Sequence, residues 1–329
     1  MGLINQLNAT TEYYWLQVEP EDILNKASAL LWKLMGNAIK MNNWEISMSE
    51  TVDGGLMVKM LLQTDLSNHG SYGKDTVIDQ SKKNLVDAAR FRWAGAYGSN
   101  TLNLDDLTQN TGEEAIIRLT KLYMADIKKA LRIDLASQVI AAAADTNSIN
   151  GLGDLFQVTD TSIEYGSIAT DDVAQWKANV IDTVEEISFE VMQKIFRTPG
   201  FGSYAGYRPS FVVTTDKLAD GYERSLHPQQ RYKDTKMVEA GWENITHKGA
   251  PIVADNYYTD DYDGYMDALN LNYISLRAHK DFNFTTPEWI AKRESGQPDI
   301  ITANSRWRGN MYCSNRQMHV RHLNLTEPA

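Results

Sequence analysis

The 329-residue sequence predicts an α+β fold in which one long helix is surrounded by short strands. Apolar residues recur every three or four positions from Ile116 to Leu135, which is the spacing of one helix face. Residues 210–215 and 250–254 are short runs rich in β-branched residues, which is typical of strands. No repeat of fixed length is visible, so a solenoid or propeller is not expected.

The long helix is predicted over residues 111–144. Its start carries a capping box, because Thr111 can accept a hydrogen bond from the Glu114 amide while the Glu114 side chain reaches back. Beyond the capping box, no Pro or Gly interrupts the pattern before Gly151. About thirty residues that rise about 1.5 Å each form a rod of roughly 45 Å, which favours a structural spine.

The rest of the chain is predicted as an arm, a projecting loop and a second group of elements. Residues 1–50 form the arm, with a helix within 21–40 that needs another surface to pack on. Two extended runs, 54–64 and 91–102, are joined by a polar stretch and predict a projecting two-stranded loop. The remaining predictions are a Gly-rich turn at 147–154, a helix from 170 or 171 to 198, a strand at 210–215, a helix at 216–226, a strand at 250–254, a polar turn at 259–264, a strand at 272–277, and two long strands within 299–325 that turn near Gly309 and Asn310.

Composition and charge exclude several classes of function. The net charge is -11 and no long run of Lys or Arg occurs, which argues against tight binding to duplex nucleic acid. Cys313 is the single cysteine, so a disulfide within the chain is impossible. Neither a signal peptide nor an apolar window of about 18 residues is present, so we expect synthesis in a cytoplasm and no membrane span.

Two glycine motifs resemble nucleotide-binding loops but lack the required context. The segment 70–75 (GSYGKD) has neither the spacing of a P-loop nor the Ser or Thr after the lysine. The segment 151–153 (GLG) lacks the third glycine of a dinucleotide fingerprint and follows a predicted helix instead of a strand. We therefore expect no phosphate-binding or cofactor-binding residue.

Candidate catalytic and metal-binding residues are equally sparse. Cys313 lies in a predicted strand without a nearby histidine pattern, and His319 and His322 would point to opposite faces of a strand. The acidic turn at 259–264 lacks the Asp and Glu that open and close a calcium loop. We expect no catalytic residue, no cofactor and no metal, and hence no enzyme.

Two stretches of sequence, taken with the order of elements, carry a family resemblance. The first is 91–97 (FRWAGAY), which runs into 104–107 (LDDL), the long helix ending in 131–135 (LRIDL), and then 150–152 (NGL). The second is 248–254 (KGAPIVA), preceded by 211–218 (FVVTTDKL). With an arm, a projecting β-loop and a spine helix, the chain resembles the HK97-like major capsid proteins of tailed bacteriophages.

The resemblance implies a division of the chain into four parts. Residues 1–50 correspond to an N-terminal arm and 51–103 to an extended loop, the E-loop, that reaches a neighbouring subunit. A peripheral (P) domain comprises 104–165, including the spine helix 111–144, and the closing strands 285–329. An axial (A) domain near the capsomer centre comprises 166–284.

The resemblance also implies function and partners. The chain would self-assemble into hexameric and pentameric capsomers of an icosahedral virion shell, which holds double-stranded DNA by non-specific contact and binds no membrane. No long leader precedes the arm, so a separate scaffolding protein is expected beside portal and decoration proteins. The inter-subunit residues would be Lys74, Lys82 and Lys83 in the loop and Trp93 and Tyr97 beside it. Some family members crosslink a loop lysine to a neighbour's Asn, but a lysine in a polar loop is ordinarily a solubilising charge.

Two alternatives stay open. The same fold is used by encapsulin-like compartments, whose shell holds an enzyme cargo and no nucleic acid. A cytosolic hydrolytic or carbohydrate-active enzyme is the third possibility, and it would use acidic residues of the 254–267 region, chiefly Asp261 and Asp263.

Overall fold

The described chain forms helices and mainly antiparallel sheets, which is an α+β architecture. The computed structural model describes residues 27–35, 51–75, 77–103, 113–157, 164–171, 173, 176–199, 205–226, 235–239, 243–285, 288–291 and 300–328. The helices are α1 (Ala29–Leu34), α2 (Glu113–Ile140), α3 (Leu152–Leu155), α4 (Phe189–Arg197), α5 (Asp216–Ser225) and α6 (Thr235–Glu239). The strands are β1 (Thr51–Val52), β2 (Val58–Gln63), β3 (Val86–Phe91), β4 (Ala94–Asn103), β5 (Glu164–Tyr165), β6 (Ile168–Ala169), β7 (Asn179–Ile181), β8 (Glu185–Glu186), β9 (Phe211–Thr214), β10 (Ile245–His247), β11 (Ala250–Ala254), β12 (Met266–Leu269), β13 (Ile274–His279), β14 (Glu288–Ala291), β15 (Ile300–Cys313), β16 (Val320–His322) and β17 (Leu325–Thr326).

A five-stranded sheet is built around β15. One edge of β15 pairs antiparallel with β4 over ten residue pairs, from Ile300 opposite Asn103 to Gly309 opposite Ala94. The other edge pairs with β14 and then with β13, and β13 also pairs in parallel with β1. Side chains alternate along β15, so Ala303, Ser305 and Trp307 are buried on one face while Asn304, Arg306 and Arg308 are exposed on the other.

The predicted spine helix is confirmed as α2, 28 residues and therefore about 42 Å long. It crosses β4 at Gly98, where a Cβ atom would lie 2.6 Å from the carbonyl oxygen of Ile127. Only glycine allows helix and strand backbones to approach this closely. The side chains of Ile127, Leu131 and Leu135 are almost fully buried.

The spine helix ends at Ile140, four residues earlier than predicted, because a glycine turn packs against its last turn. A Cβ atom at Gly151 would lie 2.0 Å from the Ala141 carbonyl oxygen and 2.4 Å from that of Gln138. A Cβ at Gly153 would lie 2.4 Å from the Ala142 nitrogen. The Gly-rich turn predicted here is therefore confirmed, but the predicted capping box at 111–114 lies partly outside the described residues.

Asn310 fastens this turn to the five-stranded sheet. Its amide nitrogen donates to the Asn150 side-chain oxygen at 2.8 Å and to the Arg92 carbonyl at 2.9 Å. Its side-chain oxygen accepts from the Asn150 backbone amide at 2.9 Å. The predicted chain reversal at Gly309 and Asn310 is wrong, because β15 runs straight through both residues. A Cβ at Gly309 would lie 2.2 Å from the Arg277 carbonyl, so this glycine serves close packing and not a turn.

A six-stranded sheet has the order β10, β11, β9, β12, β16, β7. The predicted strands at 210–215 and 250–254 are confirmed as β9 and β11, and the predicted helix at 216–226 is confirmed as α5. Helices α4 and α5 pack on this sheet, with Phe196 and Tyr222 buried in a shared cluster. The short strand β16 lies between β12 and β7, so a late part of the chain closes the sheet.

The predicted helix from 170 or 171 to 198 is wrong over its first half. Residues 179–181 form strand β7, parallel to β16, and only Phe189–Arg197 is helical. Ser188 caps that helix by accepting from the Val191 amide at 3.3 Å. The apolar residues are spaced three or four apart as in a helix, but they lie in different elements. Each element buries its own apolar residues, for instance Trp176 before β7 and Ile195 in α4.

Helix α1 is the part of the predicted arm that the structure describes. Its side chains are buried against the spine helix and β13, so this helix packs on its own subunit. Asp255 fixes its start, because one carboxylate oxygen accepts from the Ser28 hydroxyl at 2.7 Å and the Leu30 amide at 3.0 Å. Residues 1–26 and 36–50 lie outside the described part of the chain.

The turn between β15 and β16 connects the two sheets through a buried histidine. His319 accepts a hydrogen bond from the Asn270 amide at its Nδ1, over 3.1 Å, and its Nε2 lies 3.2 Å from the Cys313 Sγ. Burial lowers the pKa of His319 to about 3 and raises the pKa of Cys313 to about 12. Both groups are therefore neutral at physiological pH.

The first prediction concerns the glycine turn. We expect Gly151→Ala to lower the free energy of unfolding by about 3 kcal/mol, because the new methyl group overlaps two helix carbonyls. Gly70→Ala is the matched control, because a Cβ there has no atom within 4 Å. Urea unfolding followed by circular dichroism measures both. Equal midpoints for the two variants would contradict the close packing.

The second prediction concerns pH. Because the folded pKa of His319 lies below the ordinary value of 6.5, the unfolded chain binds the proton more readily, and stability falls as pH falls below 6.5. This residue alone should remove about 2 kcal/mol of stability between pH 7 and pH 5. His319→Gln should flatten the pH dependence of urea unfolding by that amount relative to the parent protein. An unaltered slope in His319→Gln would disprove the assignment.

Candidate subunit-interaction site

The projecting two-stranded loop is confirmed as a ribbon formed by β2, β3 and the residues between them. Six residue pairs join its strands, from Val58 opposite Phe91 to Gln63 opposite Val86. The second predicted run, 91–102, is in fact divided: Phe91 ends β3, and β4 begins at Ala94. The ribbon therefore leads directly into the long strand beside β15.

One face of the ribbon points outward and combines apolar with basic side chains. Leu61 is 77% exposed and Val86 is 59% exposed. On the same face, Lys59 lies directly opposite Arg90 in the antiparallel register. Like charges in directly opposed positions destabilise a strand pair. Apolar side chains that stay exposed to water contribute no burial free energy to a two-stranded ribbon, which is marginally stable by itself. This face is therefore suited to contact with another surface.

The three lysines predicted to act between subunits lie in the ribbon's loop. Lys74 and Lys82 are exposed, and Lys83 lies 3.6 Å from the Asp65 carboxylate. Asn68 holds the loop in shape, because its amide nitrogen donates to the Ser81 carbonyl at 2.9 Å. Two of the three lysines are thus free to reach outward.

The two aromatic residues predicted to act between subunits differ in their surroundings. Trp93 contacts its own chain, because its Nε1 donates to the Gly55 carbonyl at 2.7 Å and its ring meets His279 edge-on at 5.3 Å. It anchors the base of the ribbon. Tyr97, by contrast, is 74% exposed and lies on β4 directly opposite Arg306.

Tyr97 belongs to a groove on the face of the five-stranded sheet that points away from the spine helix. The groove has a volume of about 600 Å³. We call it the arginine groove, and its principal side chains are Trp93, Tyr97, Phe282, Asn304, Arg306 and Arg308. These side chains are aromatic rings, two guanidinium groups and one amide. They suit an anionic or aromatic partner better than an apolar one.

Cys313 and His319 lie side by side, although no sequence pattern linked them. The contact arises because β15 ends at Cys313 and the chain reverses through the turn Arg316–Met318. The thiol pKa is raised by burial and the imidazole pKa is lowered by burial, which is opposite to the thiolate and imidazolium of a nucleophilic pair. The pair therefore has a structural role. It could not be found from the sequence, because the two residues meet only when the turn folds.

Buried charge is concentrated in a closed network between β12 and β16. Arg321 donates to the two oxygens of Asp267 at 2.7 and 2.6 Å, and the Tyr258 hydroxyl donates to the same carboxylate. All three side chains are almost fully buried, so no substrate can reach them. Hydrogen bonds and the paired charge offset the cost of burial, and the network joins the two strands.

The acidic turn that an enzyme would use is an ordinary surface turn. Asp261 is exposed, and Asp263 lies 3.5 Å from Lys217 with both side chains more than half exposed. Among the described residues, no group of three or more His, Cys, Asp or Glu side chains could hold a metal ion. In the same part of the chain, no helix has the length and apolar character needed to cross a bilayer.

Comparison with known proteins gives matches in structure and none in sequence. No family model and no curated protein matches the chain. A chain of the cyanophage A-1(L) capsid asymmetric unit is 14% identical with a TM-score of 0.70, and the match covers 94% of this chain and 96% of that one. A chain of the capsid of a native GTA particle is 11% identical with a TM-score of 0.59, and the match again covers 94% and 96%.

An encapsulin is also similar. A chain of the holo-SrpI encapsulin complex from Synechococcus elongatus PCC 7942 is 8% identical with a TM-score of 0.50, and the match covers 95% of each chain. At such low identities these matches establish the fold alone. They cover nearly the whole chain, and the predicted HK97-like α+β fold is confirmed.

Proposed function

We propose that this chain is the major capsid protein of a tailed bacteriophage. Many copies would form the hexamers and pentamers of an icosahedral virion shell around double-stranded DNA, after synthesis in the host cytoplasm. The observation that carries this proposal is the ribbon, whose outward face exposes Leu61 and Val86 in a fold similar to that of phage capsid chains. A shell protein needs such a surface, because each copy must bury part of itself against its neighbours.

The ribbon argues for a partner on physical grounds. A two-stranded ribbon is at best marginally stable alone in water, and most of the described residues between Thr64 and Leu85 are exposed. Contact with a neighbouring copy would cover Leu61 and Val86 and supply groups to separate the charges of Lys59 and Arg90. Self-association therefore stabilises the element that the single chain supports least.

The division into parts follows from this function. We assign residues 1–50 to an arm, 51–103 to the E-loop, 104–165 with 285–329 to a peripheral domain, and 166–284 to an axial domain. The two sheets exchange strands across these limits, since β13 joins the five-stranded sheet and β16 joins the six-stranded one. The two domains would thus move as one unit when a capsomer forms.

Residues with an outward position are proposed to contact neighbours. They are Lys74, Lys82 and Lys83 in the ribbon's loop and Tyr97 on β4, with Trp93 fixing the ribbon's angle from within the subunit. Scaffolding, portal and decoration proteins are proposed as further partners. The net charge of -11 suits a shell that holds DNA by non-specific contact only. The chain acts as a structural protein and not as an enzyme.

An encapsulin-like compartment is the second candidate, favoured by the similarity to the SrpI encapsulin chain. Electron microscopy of the purified protein tests both, because each predicts closed icosahedral particles. Absorbance at 260 nm relative to 280 nm separates them, since a virion shell contains DNA and a cargo compartment does not. A protein that stays monomeric at high concentration would eliminate both.

The third prediction tests the ribbon's outward face. Leu61→Ser and Val86→Ser should each weaken assembly by about tenfold, because each removes roughly 1.5 kcal/mol of apolar burial at the contact. Val184→Ser is the matched control, because Val184 is 75% exposed but lies far from the ribbon in sequence, next to β8. Sedimentation of assembled particles gives the assembled fraction at several protein concentrations.

Thermal unfolding of the unassembled chains checks that the substitutions leave the fold intact. We expect all three variants to unfold within about 0.5 kcal/mol of the parent protein, as exposed positions normally do. If Leu61→Ser and Val86→Ser assembled as well as Val184→Ser, the ribbon would not be the contact surface.

A further inference from the structure

The arginine groove contains two cations that no described residue neutralises. The side chains of Arg306 and Arg308 make no ion pair or hydrogen bond in the described part of the chain. They are two residues apart on one strand face, so their Cα atoms lie about 7 Å apart. An anion between them would relieve their repulsion and gain charge-assisted hydrogen bonds.

Aromatic side chains surround these cations. Tyr97 is in register with Arg306 and is mostly exposed, and Trp93 and Phe282 also line the groove. A ligand that suits the groove therefore combines carboxylates with aromatic or apolar groups. The groove has a volume of about 600 Å³, which is enough space for several side chains of such a ligand.

The N-terminal part of the sequence has this chemistry. Residues 1–25 contain four acidic residues and no lysine or arginine, and the acids lie within 12–22 (EYYWLQVEPED). Two tyrosines and a tryptophan lie in the same segment. Fully extended, these eleven residues span up to about 36 Å, which is sufficient to cross one face of a sheet.

We propose that the acidic segment 12–22 of a second copy of this chain binds in the arginine groove. The inference rests on the proposed function, because it names the segment with which one copy reaches its neighbour. A second copy is favoured because helix α1, the first described element after the segment, packs on the spine helix and β13. The groove opens on the opposite face of the same sheet, away from α1.

A second acidic stretch in the sequence serves as a control. Residues 104–114 contain Asp105, Asp106 and two glutamates, but they have no aromatic residue. They also follow β4 immediately, so they are tethered to the far end of the strand that lines the groove. If that stretch occupied the groove, contacts would form within one chain and not between two.

Photocrosslinking tests the contact directly in the full chain. Tyr97 is replaced by p-benzoylphenylalanine, and chains labelled with ¹⁵N are mixed with unlabelled chains before irradiation. We expect crosslinks from position 97 to residues 12–22 in peptide pairs of mixed isotope content. Crosslinks that map elsewhere, or that join only chains of the same isotope content, would overturn the proposal.

A charge exchange provides the second test. Arg306→Glu combined with Arg308→Glu should lower the assembled fraction at least tenfold, and adding Glu19→Lys, Glu21→Lys and Asp22→Lys should restore it. Adding Asp105→Lys and Asp106→Lys instead should restore nothing. Lys177→Glu with Arg197→Glu, an equal charge change at exposed positions outside the groove, should leave assembly unchanged.

The outcomes separate this inference from the proposed function. Closed shells without crosslinks to 12–22, or without rescue by charge exchange, would overturn the inference and leave the capsid function standing. Crosslinks between copies without closed shells would support the inference and remove the capsid function. If the groove variant formed shells normally but with less DNA, the groove would bind nucleic acid and the proposal would be wrong.

Discussion

The antiparallel pairing of β4 with β15 is the contact on which the rest of this molecule depends. It joins ten residues of one strand to ten residues about 200 positions later in the chain. The spine helix lies on this pair of strands because Gly98 leaves room for the helix backbone. The ribbon continues from one end of β4 and the arginine groove opens on its outer face. Each feature proposed to contact a neighbour is thus held by the same two strands.

Polar side chains hold the distant segments together where a secreted protein would use disulfides. Asn310 binds both the glycine turn and Arg92, which lies between β3 and β4, and Asp255 binds the first turn of α1. Arg316 donates two hydrogen bonds to the Leu155 carbonyl, at 2.9 and 2.7 Å, and stabilises the end of α3. Such buried groups contribute little net stability, but each is satisfied in a single arrangement, so they specify which segments meet.

Local patterns in the sequence were sufficient for the long helix and for strands β9 and β11, because each is encoded by consecutive residues. The end of the spine helix was not predictable in this way. Residues 141–144 are four alanines, which are compatible with a helix, and the helix stops because Gly151 and Gly153 pack against it. Gly309 and Asn310 have the composition of a turn, but both lie within β15. Gly309 is needed because the backbone of β13 packs closely against it, and Asn310 is needed for its hydrogen bonds to Asn150 and Arg92.

The interaction site was predictable only as a region. A polar loop with lysines between two extended runs indicates exposure, but the outward face of the ribbon depends on register, which makes Leu61 exposed and leaves Leu62 largely covered. The hydrogen bond from Trp93 to Gly55 and the meeting of Tyr97 with Arg306 both join residues that no sequence motif connects. These relations exist only after the strands have paired.

The insertion of β16 between β12 and β7 also determines when this protein can finish folding. Strand β7 cannot pair until its partner β16 has been synthesised, about 140 residues later in the chain. At a translation rate of about 5 to 20 residues per second, the delay is roughly 7 to 28 seconds. During that interval the six-stranded sheet is incomplete on the ribosome. Nascent chains therefore lack a finished surface for their neighbours, and association is postponed until nearly the whole sequence has emerged.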